Sequence, residues 1–397
     1  MYERSQVALL AGRILDAGDP TIQVVVGPRQ TGKSTVLKQA AARLDLPVHS
    51  VSVDDALPPS PEWLSVEWQQ ARNLTAGGTR SAVLIVDEIQ KSPQWSTVVK
   101  SLWDADRRTD TPLKVVLSGS SSLLIHKGLG DALTGRFELI HSPHWSLTEC
   151  TDAFGYTLDD FLWLGGYPGA SRYANDELRW KTYVRESIIE PTISQDVLAL
   201  TTVLKPALLR ALFYLGARYT AQELSYNKML GQLHDAGNTT TLAHYLTLLE
   251  QVGILTGLPK FTGNTITQRA SSPRLMVFDT SLTTAISDRT RAEYAADTTQ
   301  MGHLVESAVG AYLLARGIER GFTVHWWRDG GHEVDFVLTQ GDSISAVEVK
   351  SGRRTAGAGM QEFLKRYPSA KRIVVAGADA GSATLEAFLR GEVALFY

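Results

Sequence analysis

Three short apolar runs in the first third of the chain predict buried strands. They are Ile22–Val26, Val83–Val86 and Lys114–Ser118, and each is followed by glycine or polar residues. Runs of this kind, rich in branched aliphatic residues, are typical of parallel strands that are covered on both faces. A helical pattern with one apolar face, Val36–Ala41, follows the first run. Strands separated by helices predict an α/β fold with a parallel sheet.

The middle of the chain, from Asp152 to about Lys260, is predicted to be mostly helical. Ala221–Leu233 and Thr239–Gln251 are two predicted helices joined by a turn, and Ile254–Leu258 is predicted to form a wing strand. This order indicates a helix-turn-helix arrangement. The exposed face of the second helix has no Lys or Arg, and phosphate neutralisation dominates DNA affinity. We therefore interpret the module as a protein-packing element, with DNA contact as the alternative.

The last third of the chain predicts a second α/β region. A helix with a buried apolar stripe is predicted from about His303 to Arg316, and a strand is predicted at Thr323–Arg328. Glu333–Leu338 and Ile344–Lys350 then predict a hairpin. The pattern therefore predicts a helix that packs against an antiparallel sheet.

Composition limits the possibilities without adding chemistry. Of the 397 residues, 44% are hydrophobic and 20% are charged, which is ordinary for globular domains and excludes a collagen-like or wholly disordered chain. The formal net charge of -3 means that any contact with nucleic acid needs a local basic patch. The patterns divide a chain of this length into three predicted domains, at residues 1–150, 151–265 and 266–397.

The chain is predicted to be cytoplasmic and to have no membrane segment. Met1–Gln6 has no apolar run of the signal-peptide kind. The longest apolar stretch, Leu198–Tyr214, contains Lys205 and is too short and too charged to span a bilayer. Cys150 is the single cysteine, so an intrachain disulfide is excluded and a reducing compartment fits.

A phosphate-binding motif connects the first strand to the helix that follows it. Residues 27–34 match G-x-x-x-x-G-K-[ST], and the flanking strand and helix argue against a chance match in a turn. The two glycines allow the backbone to wrap a phosphate, Lys33 would reach the β- and γ-phosphates, and the Ser34 hydroxyl would hold Mg²⁺. The predicted ATP-binding residues are Gly27, Pro28, Arg29, Gln30, Thr31, Gly32, Lys33, Ser34 and Thr35.

Polar residues at the ends of the other two strands complete the predicted ATP site. Asp87 and Glu88 follow the second strand, where open α/β sheets bind ligands. Asp87 suits the Mg²⁺ shell, and Glu88 suits polarising the attacking water; a helix-capping acidic pair is the alternative. The third strand ends in Ser118–Ser122, where a hydroxyl could sense the γ-phosphate or the residues form a plain turn.

The predicted hairpin brings acidic and basic residues together near the end of the chain. If Gly341 and Asp342 are central in the turn, Asp335 lies opposite Glu348 and Glu333 lies opposite Lys350. Two opposed carboxylates, about 5 Å apart at Cβ, repel each other, and a divalent cation relieves the repulsion. Mg²⁺ or Mn²⁺ there suits phosphodiester chemistry, with Lys350 stabilising developing charge. The alternative is a structural Glu333–Lys350 ion pair.

Two further features stand out in the last third of the chain. Glu306 lies at the edge of the buried stripe of its helix, which is unusual for a carboxylate without a partner. Arg353 and Arg354 follow the hairpin and could hold backbone phosphates. The two arginines would thus add contacts with nucleic acid to the predicted hairpin site.

The order of the motifs in the first third resembles AAA+ ATPases. By that resemblance Ser118 or Ser120 is the sensor of the γ-phosphate, and Arg136 is an arginine finger that acts on the nucleotide of a neighbouring subunit in a homo-oligomer. A surface ion pair is the alternative for Arg136. The arrangement is more closely similar to prokaryotic ATPases that join an AAA-type P-loop domain to a C-terminal domain of long-uncharacterised function. The matching segments are Gly27–Ser34, Val86–Gln90, Ser118–Ser122 and Leu162–Pro168.

The last third resembles the PD-(D/E)XK nucleases. That resemblance implies that Glu306, Asp335 and Glu348 are metal ligands and that Lys350 is the catalytic lysine; Val334 stands where the motif has proline. The implied fold is a P-loop AAA+ domain, a helical and winged-helix middle, and a restriction-endonuclease-like α/β tail. The predicted function is ATP hydrolysis that gates metal-dependent action on nucleic acid. The alternatives are an ATP-dependent switch with a silent tail that acts on a protein partner, and a DNA-binding regulator.

Overall fold

The computed structural model describes residues 2–16, 18, 21–55, 60–75, 80–119, 130, 132–197, 203–235, 237–262, 271–350, 357–376 and 381–397. The chain separates into two compact units, Met1–Pro143 and His144–Tyr397. The predicted divisions into domains at residues 150 and 265 remain predictions. None of the described helices combines the length and the apolar composition that crossing a membrane requires.

The first unit is built around a parallel sheet, as the apolar runs predict. Its strands are β1 (Ile22–Val26), β2 (Val48–Ser52), β3 (Ala82–Asp87), β4 (Leu113–Gly119) and β5 (Phe137–His141), in the order β2-β3-β4-β1-β5. Its described helices are α1 (Ser5–Leu15), α2 (Lys33–Ala41), α3 (Pro61–Asn73) and α4 (Trp95–Arg108). Because β4 lies between β1 and β3, the polar residues at the ends of these three strands meet at one edge of the sheet.

Both faces of this sheet are covered, which explains why its central strands read as continuous apolar runs. Val24 packs on one face with Trp68 of α3. Its neighbour Val25 packs on the other face with Leu10 of α1 and Val36 of α2. Burying one such aliphatic side chain contributes about 1.5–3 kcal/mol, so this central sheet fixes the strand ends that carry polar residues.

The second unit has these described elements: α5 (Leu147–Phe154), α6 (Leu158–Leu164), α7 (Glu177–Tyr183), α8 (Pro206–Arg218), α9 (Tyr226–Gln232), α10 (Thr239–Gln251), β6 (Leu255–Leu258), β7 (Arg274–Val277), α11 (Ser281–Thr284), α12 (Arg291–Ala296), α13 (Thr298–Arg320), β8 (Thr323–Asp329), β9 (His332–Gln340), β10 (Ser343–Val349), α14 (Ala358–Arg366), β11 (Lys371–Val375) and α15 (Leu385–Leu389). Two π-helical segments follow α7, at Val184–Ile189 and Thr192–Val197.

The predicted helix pair is present, but its first helix is shorter than the sequence indicates. The structure has α9 only at Tyr226–Gln232, whereas the prediction began at Ala221. Ala221 has a φ of 62°, and its N–H donates to Leu275 O at 2.8 Å. The segment before α9 therefore pairs with β7 and is not helical. The second helix, α10, has the predicted bounds, and the Asn238 side chain caps it by accepting the Thr241 N–H at 2.8 Å. The strand after it, β6, pairs antiparallel with β7.

The hairpin of the second unit forms in the predicted register, but its ladder ends three pairs before the predicted Glu333–Lys350 pair. Pairs run from Ser343↔Gln340 to Val347↔Phe336. The next predicted pair, Asp335 with Glu348, is not part of the ladder. Instead, the Asp335 carboxylate accepts the Val349 N–H at 2.7 Å and replaces the backbone partner that this group would otherwise need. The register therefore agrees with the prediction as far as Val347↔Phe336, and the direct opposition of Asp335 and Glu348 remains a prediction.

Candidate functional site

The loop between β1 and α2 has the backbone geometry that the motif predicts. Gly32 has a φ of 93° and ends the loop at the start of α2. A Cβ on Gly27 would lie 2.1 Å from Ser142 O, so no other residue fits there without moving the backbone. The Thr31 hydroxyl donates to Pro28 O at 3.0 Å and closes the loop on itself. The Lys33 ammonium folds over the loop and donates to Pro28 O at 2.8 Å. The loop is thus preformed, with its lysine inside.

Three predicted residues from three different elements meet beside this loop. The Ser34 hydroxyl donates to Asp87 Oδ2 at 2.5 Å. The Ser118 hydroxyl donates to the other oxygen, Asp87 Oδ1, which also accepts the Glu88 N–H at 3.0 Å. The predicted second sensor residue, Ser120, lies outside the described residues. The predicted constellation of P-loop serine, acidic residue and third-strand hydroxyl is therefore one hydrogen-bonded group.

This group fits a magnesium ion. The test is whether hard oxygen donors converge next to the loop, because Mg²⁺ prefers carboxylate, hydroxyl and phosphate oxygens. The Ser34 and Asp87 oxygens are 2.5 Å apart and belong to side chains on α2 and β3. Ser34 and Asp87 are therefore the residues that would hold Mg²⁺ here.

Glu88 has an unusual backbone conformation at the end of β3. Its φ is 54°, in the left-handed region that non-glycine residues seldom occupy. Its carboxylate accepts a hydrogen bond from Gln90 Nε2 at 2.6 Å. Glu88 precedes the short helical turn Ile89–Lys91, but its side chain makes no capping hydrogen bond to that turn. The structure therefore does not support the helix-capping alternative for Glu88. A strained backbone that aims a carboxylate out of the sheet edge is typical of functional positions.

One residue of the loop's surroundings was missed by sequence reasoning. The buried Arg4 guanidinium donates to Thr31 O at 3.3 Å, to Ser142 Oγ at 3.0 Å and to Pro143 O at 3.1 Å. Arg4 thereby joins the P-loop to the segment after β5. It belongs to no motif and precedes the first predicted strand, so only the tertiary structure brings it to the site.

Arg136 forms an ion pair within its own unit. Its Nε lies 2.9 Å from Asp104 Oδ1, and the hydrogen bond lowers the pKa of the Asp104 carboxyl. Arg136 directly precedes β5, where Phe137 is level with Ile22, whereas the P-loop follows the opposite end of β1. The ion-pair alternative is what the structure contains, and the arginine finger remains a prediction.

The predicted acidic site of the second unit contains an arginine that the sequence reasoning did not include. The buried Arg274 of β7 contacts Glu306 Oε1 through Nη2, and its Nη1 lies 3.1 Å from Glu333 Oε1 and 3.7 Å from Asp335 Oδ1. Burial raises the pKa of the Glu306 and Asp335 carboxyl groups, and Arg274 counteracts that rise. We call Arg274, Glu306, Glu333 and Asp335 the Arg274 cluster.

Glu348 and Lys350 form an ion pair beside this cluster, close enough for both charges to act on the Asp335 carboxyl. Lys350 Nζ is 2.5 Å from Glu348 Oε1, and the Gly357 N–H donates to the same oxygen at 3.0 Å. Among the described residues, no three His, Cys, Asp or Glu side chains are close enough together to hold a metal ion. The predicted ligands Glu306, Asp335 and Glu348 therefore do not fit a metal in this arrangement. The predicted phosphate-binding residues Arg353 and Arg354 lie outside the described part of the chain.

Comparison with protein families identifies the class of the first unit. Residues 19–151 match the model described as an AAA domain. Residues 156–293 and 301–387 match two models described as domains of unknown function, DUF8612 and DUF4143. The preformed P-loop agrees with the similarity of residues 19–151 to AAA domains. No curated protein matches the chain.

Three solved structures are weakly similar to this chain. A katanin self-assembly structure is 21% identical, with 37% of this chain and 49% of that chain covered, at a TM-score of 0.27. Aeropyrum pernix ORC1 in complex with DNA is 13% identical, with 78% and 93% covered, at 0.31. The Thermotoga maritima RuvB Holliday junction branch migration motor is 16% identical, with 64% and 90% covered, at 0.34. The chain spans about half of the katanin chain. Similarities this weak do not indicate a function.

Proposed function

We propose that the first unit binds ATP with Mg²⁺ and hydrolyses it, and that the nucleotide state switches the activity of the second unit. One observation carries the first part of this proposal. Ser34, Asp87 and Ser118 come from three elements and form one hydrogen-bonded group beside a preformed phosphate loop. Such a group is the arrangement that phosphoryl transfer by P-loop ATPases requires.

Each residue of this site has a distinct role in the proposed reaction. The loop amides and Lys33 bind the β- and γ-phosphates. Glu88 orients a water molecule whose oxygen attacks the γ-phosphorus, the bond to the β,γ-bridging oxygen breaks, and ADP and inorganic phosphate leave. Mg²⁺, held by Ser34 and Asp87, would supply electrostatic stabilisation of the phosphate oxygens. Ser118, bonded to Asp87, holds that carboxylate in place.

Phosphate release from ATP tests this proposal. Lys33→Ala is expected to lower the turnover rate by about 10²–10³, because a preorganised cation at the transferring phosphate is lost. The matched control is Lys38→Ala, which removes an exposed lysine from the same helix and should leave turnover unchanged. Equal rates for the Lys33→Ala and Lys38→Ala proteins would reject hydrolysis at this site.

Two activities are candidates for the second unit. Metal-dependent action on nucleic acid, gated by nucleotide, is supported by the hairpin register and by the Glu348–Lys350 pair. A switch or remodeller that acts on a protein partner through a silent tail is supported by Arg274, which contacts the predicted metal ligands Glu306 and Asp335. A cytoplasmic location and a homo-oligomer with Arg136 as a finger complete the proposal.

A cleavage assay separates the two candidates. Plasmid and single-stranded DNA are incubated with the full chain, Mg²⁺ or Mn²⁺, and with or without ATP. Cleavage that disappears in Glu348→Ala and Lys350→Ala would support action on nucleic acid. Intact DNA under every condition, in a preparation that hydrolyses ATP, would support the switch.

A further inference from the structure

We propose that Arg274 is the resident cation of the carboxylates in the second unit, and that this cluster does not bind a divalent metal ion while Arg274 is in place. The inference goes beyond ATP hydrolysis and does not rest on it. It starts from the disagreement between the metal ligands implied by sequence resemblance and the partners that these side chains have. Arg274 lies on β7, far from the hairpin in sequence, and reaches both α13 and β9.

The Arg274 guanidinium is held by two kinds of acceptor. Its Nε donates to Ala221 O at 3.0 Å, and its Nη1 donates to Asp335 O at 3.2 Å. The same group contacts the carboxylates of Glu306, Glu333 and Asp335. The two backbone acceptors fix the position and orientation of the guanidinium independently of the carboxylates.

The remaining predicted ligand also has partners of its own. The Glu348 carboxylate is paired with the Lys350 ammonium at 2.5 Å and accepts the Gly357 N–H at the start of α14. The Asp335 oxygen that does not face Arg274 accepts the Val349 N–H at 2.7 Å. A divalent ion needs several oxygens with free lone pairs directed at one point. Here one oxygen of Glu306 lies against Arg274 Nη2 without hydrogen-bond geometry. The Asp335 and Glu348 carboxylates accept backbone N–H groups, and Glu348 also pairs with Lys350.

Arg274 also belongs to a longer chain of alternating charges. Arg328 of β8 contacts both Glu223 and Glu333, and Glu333 is 3.1 Å from Arg274 Nη1. This series of ion pairs therefore runs from the segment before α9 through β8, β9 and β7 to Glu306 of α13. In this arrangement the carboxylates connect the β6–β7 region to the hairpin. Each of the two arginines lies between two carboxylates, which is typical of a structural junction.

Solvent reaches this cluster, so burial alone does not exclude ions from it. An open cavity of about 440 Å³ is lined by residues that include Arg274, His303, Arg328 and Glu333. A second cavity of about 280 Å³ is lined by residues that include His303 and Glu306. Added metal ions therefore have access to both sides of the cluster. If the Arg274 cluster does not bind added metal ions, the reason is therefore its charge and geometry and not a lack of access.

Mn²⁺ titration followed by electron paramagnetic resonance tests the inference. The full chain carries Ser34→Ala and Asp87→Asn, which remove the magnesium ligands of the first unit, and no nucleotide is added. This parent protein is expected to show no Mn²⁺ site in its second unit. Adding Arg274→Gln is expected to create one, with an affinity at least about tenfold above any residual Mn²⁺ binding by the parent protein, because like-charge repulsion is removed while the carboxylates remain. Adding Glu306→Gln should abolish the gain.

Arg328→Gln is the matched control, because it removes the neighbouring arginine of the same charge chain without freeing Glu306 or Asp335. It should create no site. A site in the parent protein that is lost in Asp335→Asn would overturn the inference, as would a folded Arg274→Gln protein that gains none. If Arg274→Gln does not fold, the parent titration decides alone: no site supports the inference, and a site lost in Asp335→Asn overturns it. DNA cleavage is not measured, so failure of the nucleic-acid candidate leaves this result unaffected.

Discussion

A Glu88→Gln protein is expected to bind ATP as well as the unchanged protein and to hydrolyse it about 10²–10⁴ times more slowly. Glutamine keeps the shape of the side chain and its contact with Gln90, but it has no negative charge with which to polarise water. The strained φ of 54° places residue 88 at the sheet edge beside Asp87, where the attacking water would lie. Phosphate release and equilibrium nucleotide binding, measured on the same preparation, separate the two effects.

The control for this prediction is Glu138→Gln. Glu138 is a half-exposed carboxylate on β5 that forms an ion pair with Arg13, and it is not a predicted site residue. Its neutralisation should leave both binding and turnover unchanged. A Glu88→Gln protein that retains more than about a third of the normal turnover would remove Glu88 from the proposed chemistry, because loss of a general base costs far more than that.

A Gly165→Ala protein is expected to lose about 3 kcal/mol or more of its free energy of unfolding. Gly165 has a φ of 67° and a ψ of -164°, a region that is essentially restricted to glycine. An added Cβ would lie 1.9 Å from Asp279 Oδ1. Asp279 is buried and accepts the Gly166 N–H at 2.7 Å, so the clash would also disturb that bond. The glycine pair thus clamps a buried carboxylate, which gives the Leu162–Pro168 segment a structural explanation.

Gly155→Ala separates the effect of this clash from ordinary backbone strain. Gly155 has a φ of 71°, and an added Cβ there would meet nothing within 4 Å. The Gly155→Ala protein should lose only about 1–2 kcal/mol of its free energy of unfolding, which is the cost of a left-handed conformation for alanine. Urea denaturation of both proteins gives the two free energies. Equal losses would show that the contact with Asp279 adds nothing.

The sequence predicts the first unit well because its signals are local. The strand Ile22–Val26 has the predicted bounds, and the phosphate loop and helix follow it as the motif requires. The hairpin register follows from side-chain alternation and from the position of the turn. In each case the residues that determine the structure are close together in sequence, so a single chain reveals them.

The features that the sequence does not predict depend on partners that are distant in sequence. Arg4 lies 138 positions from the Ser142 hydroxyl that it contacts, and Arg274 lies 61 from the Asp335 carbonyl that it contacts. No periodicity or motif signals either pair. Ala221 to Ser225 reads as helix but pairs with β7, because tertiary hydrogen bonds outweigh weak helix propensity. Register alone also does not show that the Asp335 side chain bonds to the Val349 N–H.

Equilibrium titration of the full chain with Mg²⁺ and ATP tests the central claim most directly. The account predicts saturable binding by the unchanged protein, and an affinity about ten- to a hundredfold weaker in Lys33→Ala, because charge-assisted bonds to the phosphates are lost. Lys38→Ala should bind as the unchanged protein does. Absence of ATP binding by the unchanged protein, or equal affinity in Lys33→Ala, would contradict the account.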